Sequence, residues 1–171
     1  MSTMDSLIVV TAKYALFLSI AVTAFVWLRM PRPQKWELII WAVLGGAAAV
    51  ALVKLGGALY FDPRPFVTHH VAPLFPHAAD NGFPSDHTVA GMLMAVGVML
   101  YSRKWGVVLV GATLLLGIAR VAAHVHSPID ILGGIAFGAA AALITLPAAR
   151  WLSRRQAGAA ARSRSAEGED A

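Results

Sequence analysis

The chain contains no cysteine, and only 13% of its 171 residues are charged. The first absence removes disulfides, thiolate nucleophiles and Cys-ligated zinc. The second sets the chain apart from soluble domains, in which about 25% of residues carry charge. No internal repeat is visible, and no serine sits in a Gly-x-Ser-x-Gly setting, which argues against a serine hydrolase of that type. The abundant class is hydrophobic, at 58% of residues. A bilayer core about 30 Å thick needs about 20 apolar residues per helix, and several runs here approach or exceed that length. The reading is therefore an all-α, polytopic membrane helix bundle.

Five spans are expected: Leu7 to Leu28, Trp36 to Tyr60, Ser85 to Tyr101, Trp105 to His124 and Pro128 to Arg150. The third is at the short end of the spanning range. The first is too long for the apolar region of a signal peptide, lacks a basic region before it, and reads as a retained helix. Residues 1–150 form one transmembrane domain in this reading. Residues 151–171, rich in Arg, Ala and Ser and then acidic, read as a disordered cytoplasmic tail.

The net charge of +5 does not imply nucleic acid, because most of the basic residues flank apolar spans. Arg29, Arg32, Lys35, Arg103, Lys104, Arg150, Arg154, Arg155, Arg162 and Arg164 all fall on one side of a five-span protein. Cytoplasmic loops are enriched in Lys and Arg. The expectation is an integral protein of the cytoplasmic membrane with its N-terminus outside and its tail inside. The long loop from Phe61 to Pro84, His87 and His126 then share the outer face.

Two short segments carry candidate chemistry. Ser127-Pro128-Ile129-Asp130 reads as a helix start, with Ser at N-cap and Asp at N3. Asp130 is then either a capping-box acid or the acceptor that takes the Nδ1–H of His126 and frees Nε2 to attack phosphorus. Pro84-Ser85-Asp86-His87 opens another helix. Ser85 is a plausible N-cap, and free N–H groups there favour an anion. The alternative is a capped helix with a solvent-facing histidine.

Arg120 lies near the end of a membrane span, where a guanidinium is costly, and it is suited to bidentate phosphate contact. Arg64 stands between Pro63 and Pro65, and Lys54 lies late in the second span. These three cations and two histidines would neutralise a phosphoryl group without metal. His69, His70 and His77 read as solvated loop residues, with no carboxylate at metal-ligand spacing. His124 lines the pocket or caps a helix. Lys13 snorkels or faces a neighbouring helix. Gly134 and Gly138 have small-xxx-small spacing, read as intramolecular packing.

With these residues in view, the chain resembles the type-2 phosphatidic-acid phosphatase superfamily of membrane lipid phosphatases, which share a helical core with vanadium haloperoxidases. Its motifs are Lys-x6-Arg-Pro, Pro-Ser-Gly-His and Ser-Arg-x5-His-x3-Asp. Arg120, His126 and Asp130 match the third, with Ala119 in place of serine. Pro84 to His87 match the second, with Asp86 in place of glycine, a variant that looks like the undecaprenyl-diphosphate phosphatase branch. In the first, Arg64-Pro65 is present, but nine residues separate Lys54 from Arg64.

The resemblance implies His126 as nucleophile, Asp130 as its orienter and His87 as acid to the leaving oxygen. Arg64, Arg120, Ser85 and Lys54 would hold the phosphoryl oxygens. Asp86 would receive a cation's N–H or repel a wrongly charged headgroup. No cofactor or metal is implied. The substrate would be a polyprenyl diphosphate, or a glycerophospholipid phosphate such as phosphatidic acid or phosphatidylglycerol phosphate. The alternatives from other classes are a His-lined transporter and an inactive lipid-binding relative.

Overall fold

A computed structural model describes the backbone of residues 2–169, and side chains through Ala159 apart from Ala157. The helices are α1 (Thr3–Arg29), α2 (Arg32–Leu59), the single turn α3 (Pro65–Thr68), α4 (Asp86–Met99), α5 (Arg103–Ala122) and α6 (Pro128–Glu169). Among the described residues no strand forms, only one bridge between Pro63 and Asn81.

Among the described residues four helices are long and apolar enough to cross a membrane: α1, α2, α5 and α6 as far as Gln156. At 1.5 Å per residue, the 20 residues of α5 span about 30 Å. Leu7, Phe17, Leu18, Leu28, Val43, Ile118 and Ile144 are exposed along them. Side chains of this kind belong against lipid tails, because helices with internally satisfied backbones are what a bilayer accepts.

The expected third span is different. α4 has 14 residues, ends at Met99 and turns through Leu100 and Tyr101. At about 21 Å it is shorter than the bilayer core, yet it joins the two ends of the bundle, and it does not meet lipid as the others do. It packs against α1, α2, α5 and α6, and Thr88, Val89, Gly91, Met92, Ala95, Gly97 and Val98 along it are buried.

Small residues permit this central placement. A side chain at Gly97 would overlap the Trp41 ring, and one at Gly91 would lie 2.7 Å from the Thr113 hydroxyl. On α6, a side chain at Gly134 would lie 2.8 Å from the Ser85 carbonyl, and one at Gly138 would overlap the Val89 carbonyl. The small-residue stripe thus serves packing within the chain. Trp41 satisfies its indole N–H on the Ala142 carbonyl at 2.9 Å.

The bundle has two distinct ends. Arg150 lies 3.7 Å from Glu37, and Phe25 packs on Trp105 with ring centres 5.8 Å apart. This end gathers the α1–α2 and α4–α5 connections. The α2–α4 and α5–α6 connections meet at the opposite end, which carries the histidine motifs. α6 continues through residues 151–169, where composition alone predicts disorder; residues 170–171 of that expected tail lie outside the described residues. Ala and Arg rank among the strongest helix formers, which accounts for a helix there.

Candidate active site

His126 is placed by the way α5 ends. The helix stops at Ala122, and the next residues wind tightly back, so that Val125 and His126 both direct their N–H groups at the Arg120 carbonyl, at 3.2 and 3.4 Å. His124 makes the bend with φ 63°, a left-handed conformation in which His is enriched among non-glycine residues. Its side chain is not part of the cavity lining, and its carbonyl accepts the Phe66 N–H at 3.2 Å.

Both readings of Asp130 are realised by one oxygen. Oδ2 accepts the Ser127 N–H at 2.9 Å and faces His126 Nδ1 at 3.0 Å. The Ser127 hydroxyl accepts the Asp130 N–H at 3.4 Å, closing the capping box, and donates to Asp62. Asp130 is fully buried and packs against Gly82, where a side chain would lie 2.6 Å from Oδ2. Its acceptor at Nδ1 leaves His126 Nε2 as the free lone pair.

That Nε2 is flanked by two guanidinium groups. Arg64 Nη1 and Arg120 Nη2 each lie 3.4 Å from it. Arginine offers only donors, so the ring must accept at Nε2 and carry its hydrogen on Nδ1, in agreement with the Asp130 contact. Arg64 also donates from Nη1 to the Val125 carbonyl at 2.7 Å and from Nε to Asp80 Oδ1 at 2.7 Å. Arg120 donates from Nη1 to the Ala12 carbonyl of α1 at 3.2 Å. Both arginines are buried, at 6% and 3% exposure, so they act in a medium where charge is weakly screened.

Burial pushes the His126 pKa below the ordinary histidine range. The hydrogen bond to Asp130 opposes the shift, and Arg120 and Arg64 add to it. The ring is therefore neutral at neutral pH, as a nitrogen nucleophile requires.

These groups face a cavity of about 370 Å³, lined by Lys54, Gly57, Arg64, His77, Asp80, Asn81, Phe83, Asp86, His87, Arg120 and His126 among others. Of the residues singled out in the sequence, Lys54, Arg64, Asp86, His87, Arg120 and His126 thus come together. Asp130 stands behind His126. Lys54 is exposed and makes no hydrogen bond or ion pair among the described residues. Gly57 lies three residues further along α2, and residues three apart share a helix face. The displaced lysine therefore enters the cavity from one turn away.

Ser85 is placed differently from expectation. It is fully buried, is absent from the lining and makes no capping bond. Its hydroxyl accepts from Thr88 at 3.1 Å, and its N–H donates to the Asp130 carbonyl at 3.0 Å, tying the two motifs through the backbone. Lys13 stands over the Phe75 ring, 5.1 Å from its centre.

The sequence reading took His77 for a solvated loop residue, whereas it lines the cavity 3.0 Å from Arg120; it passed over Asp80, Asn81 and Asp62. Their one signal was membership of the long loop, since loops of that length are often functional. Among the described residues no three His, Asp or Glu side chains form a metal-holding group.

Comparison with known proteins identifies the family. The chain is 36% identical to the undecaprenyl-diphosphatase BcrC of Bacillus subtilis (strain 168) over 134 residues, covering 78% of this chain and 69% of that protein. It is 30% identical to the bacitracin transport permease protein BcrC of Bacillus licheniformis over 154 residues, covering 89% and 75%. The fold matches the crystal structure of Aquifex aeolicus LpxE with a TM-score of 0.64 at 23% identity, over 86% of this chain and 87% of that one. The PAP2 superfamily profile spans residues 36–154, from the start of α2 to the far end of the α6 span. With the histidine pair, the buried aspartate and both arginines falling inside that stretch, the chain belongs to the PAP2 superfamily.

Proposed function

We propose that the protein is a metal-independent phosphatase that converts a polyprenyl diphosphate, of the undecaprenyl class, to its monophosphate and phosphate. The observation that carries this reading is the pair of buried guanidinium groups, each 3.4 Å from the Nε2 of a histidine whose Nδ1 is held by a buried carboxylate. The name of the B. subtilis relative supports the choice of lipid.

His126 Nε2 attacks the terminal phosphorus. The bond from that phosphorus to the bridging oxygen breaks, and His87, at the cavity wall, protonated as the negative charge of the diphosphate enters the site, gives its proton to the departing monophosphate. His87 then takes a proton from water, which attacks the phosphohistidine and releases phosphate. Asp130 orients His126 and offsets the charge it gains. Arg64 and Arg120 take up charge on the transferred phosphoryl group, as fixed donors do at a developing anion. Lys54 adds a third cation from α2. Asp86, exposed at the mouth, screens the headgroup.

Phosphate release by detergent-purified protein, with EDTA throughout, tests this reading. Undecaprenyl diphosphate is expected to be hydrolysed faster than phosphatidic acid or phosphatidylglycerol phosphate, with turnover abolished in His126→Ala. Preference for a glycerophospholipid would move the assignment to that lipid class. Dependence on metal would contradict the mechanism.

The site end faces outward in this proposal, since Arg29, Arg150 and their neighbours gather at the other end. The natural lack of cysteine makes this testable with single cysteines. A membrane-impermeant maleimide added to intact cells is expected to label Ala78→Cys and to spare Ser102→Cys. The reverse pattern would invert the topology.

A further inference from the structure

The loop between α3 and α4 contains a short stretch fastened on both sides. Before it, the Leu74 N–H donates to the Ala123 carbonyl at 3.2 Å, and Phe75 is buried in a cluster with Ala12, Ala119, Ala123 and Val125. After it, the Asn81 amide donates to the carbonyls of Gly57 and Tyr60, at 3.1 and 2.9 Å. Its oxygen accepts the N–H groups of Asp62 and Phe83, at 2.9 and 3.0 Å. A segment bounded by a buried aromatic anchor and a fourfold-bonded amide holds its side chains in place.

Two of those side chains grip the two arginines. His77 Nε2 lies 3.0 Å from Arg120 Nη2, and Asp80 Oδ1 accepts Arg64 Nε at 2.7 Å. The His77 ring stands edge-on to that of His126, with centres 6.1 Å apart. Arginine can only donate, so His77 accepts at Nε2. Without His77, the Arg120 guanidinium would keep Ala12 and His126 as its partners, and its buried Nε has none.

We infer that His77 and Asp80 are positioning residues that fix both guanidinium groups on the phosphoryl site beside His126. The inference rests on the phosphatase reading for its mechanistic meaning. The physical logic is that phosphate donors are effective only when held within a fraction of an ångström of productive geometry by neighbours whose own positions are locked. Neither residue touches the phosphoryl group in this account. His77 works through Arg120, and Asp80 through Arg64.

The test uses orthovanadate, which imitates the five-coordinate phosphorus of the transition state and should bind more tightly the better the donors are aimed. Its affinity would be read both by inhibition of phosphate release and by protection of the purified protein against thermal unfolding. His77→Phe keeps a ring against Phe75 and loses the acceptor, and it is expected to weaken vanadate about 10–100-fold and to lower kcat more than it raises KM. His77→Gln, which retains an acceptor, should recover most of that loss. In an Arg120→Lys background, His77→Phe should cost less than about threefold more, because coupled residues do not add. Asp80→Ala, which removes the acceptor of Arg64 Nε, should show the same dependence on Arg64→Lys.

Additive losses in both backgrounds, or a Gln variant as impaired as Phe, or unchanged vanadate affinity would overturn the inference. A wild type silent toward every lipid phosphate, yet protected by vanadate with this same pattern of coupling, would sink the substrate assignment and leave the positioning role standing.

Discussion

Two helix starts that look alike in sequence, Ser85 before α4 and Ser127 before α6, are used in opposite ways. Ser127 forms a reciprocal cap with Asp130, and the capping carboxylate also holds His126. Ser85 makes no cap. Its hydroxyl is sealed inside against Thr88, while its backbone joins α4 to Asp130. One motif therefore holds His126, the proposed nucleophile, by means of an ordinary capping box. The other sets the depth of α4, and with it the position of His87. The lesson is that a cap signature identifies a helix start without identifying what its hydroxyl does.

Asp130→Asn attacks the nucleophile side of this comparison hardest. It keeps the shape and removes the charge that selects the His126 tautomer. A loss of about 10³–10⁴ in kcat is expected, by analogy with the aspartate of a triad. His87→Ala strikes the other motif and should cost about 10²–10⁴, the usual worth of a positioned acid. If it cost less than tenfold, the two motifs would not be divided into nucleophile and acid as argued.

The pH profile sharpens the same division. A His126 pKa lowered by burial means that the neutral nucleophile gains population as pH rises through a value below about 6.5, the ordinary histidine figure. The ascending limb of kcat/KM should therefore have its midpoint below that figure. A midpoint above it would indicate that the field around His126 is not net positive and dry.

The smallest effects separate the serines themselves. Ser127→Ala removes a cap and should destabilise by about 0.5–2 kcal/mol, with a rate loss because Asp130 is loosened. Ser85→Ala leaves the Thr88 hydroxyl without its acceptor, at about 1 kcal/mol, and should change kcat/KM less than tenfold. Denaturation midpoints in detergent, measured beside activity, check both. A large rate loss in Ser85→Ala at unchanged stability would restore its hydroxyl as a phosphate contact.

Much of the molecule was legible from local pattern. Apolar runs set α1, α2, α5 and the α6 span, since length and hydropathy are properties of a stretch. Arg120, His126 and Asp130 lie within 11 residues on the chain, so their spacing is largely decided by one helix end and the next helix start. What was hidden depends on tertiary placement. The shortness of α4 reflects a core position among four other helices. The burial of Ser85 reflects its approach to Gly134. His77 meets Arg120 across 43 residues, through a loop with no periodicity to read. Lys54 shows the middle case: its spacing of nine looked discrepant, and helical geometry returns it to the cavity wall.

The central claim is that His126 becomes covalently phosphorylated, and the most direct test is to trap it. Polyprenyl diphosphate labelled at the terminal phosphate would be mixed with the His87→Ala variant in EDTA and quenched in alkali, where phosphohistidine survives. The peptide containing His126 would then be examined by mass spectrometry. The account predicts label on His126 that forms faster than phosphate is released, and none in a His126→Ala chain. Turnover with label on another residue, or undiminished release from His126→Ala, would contradict it.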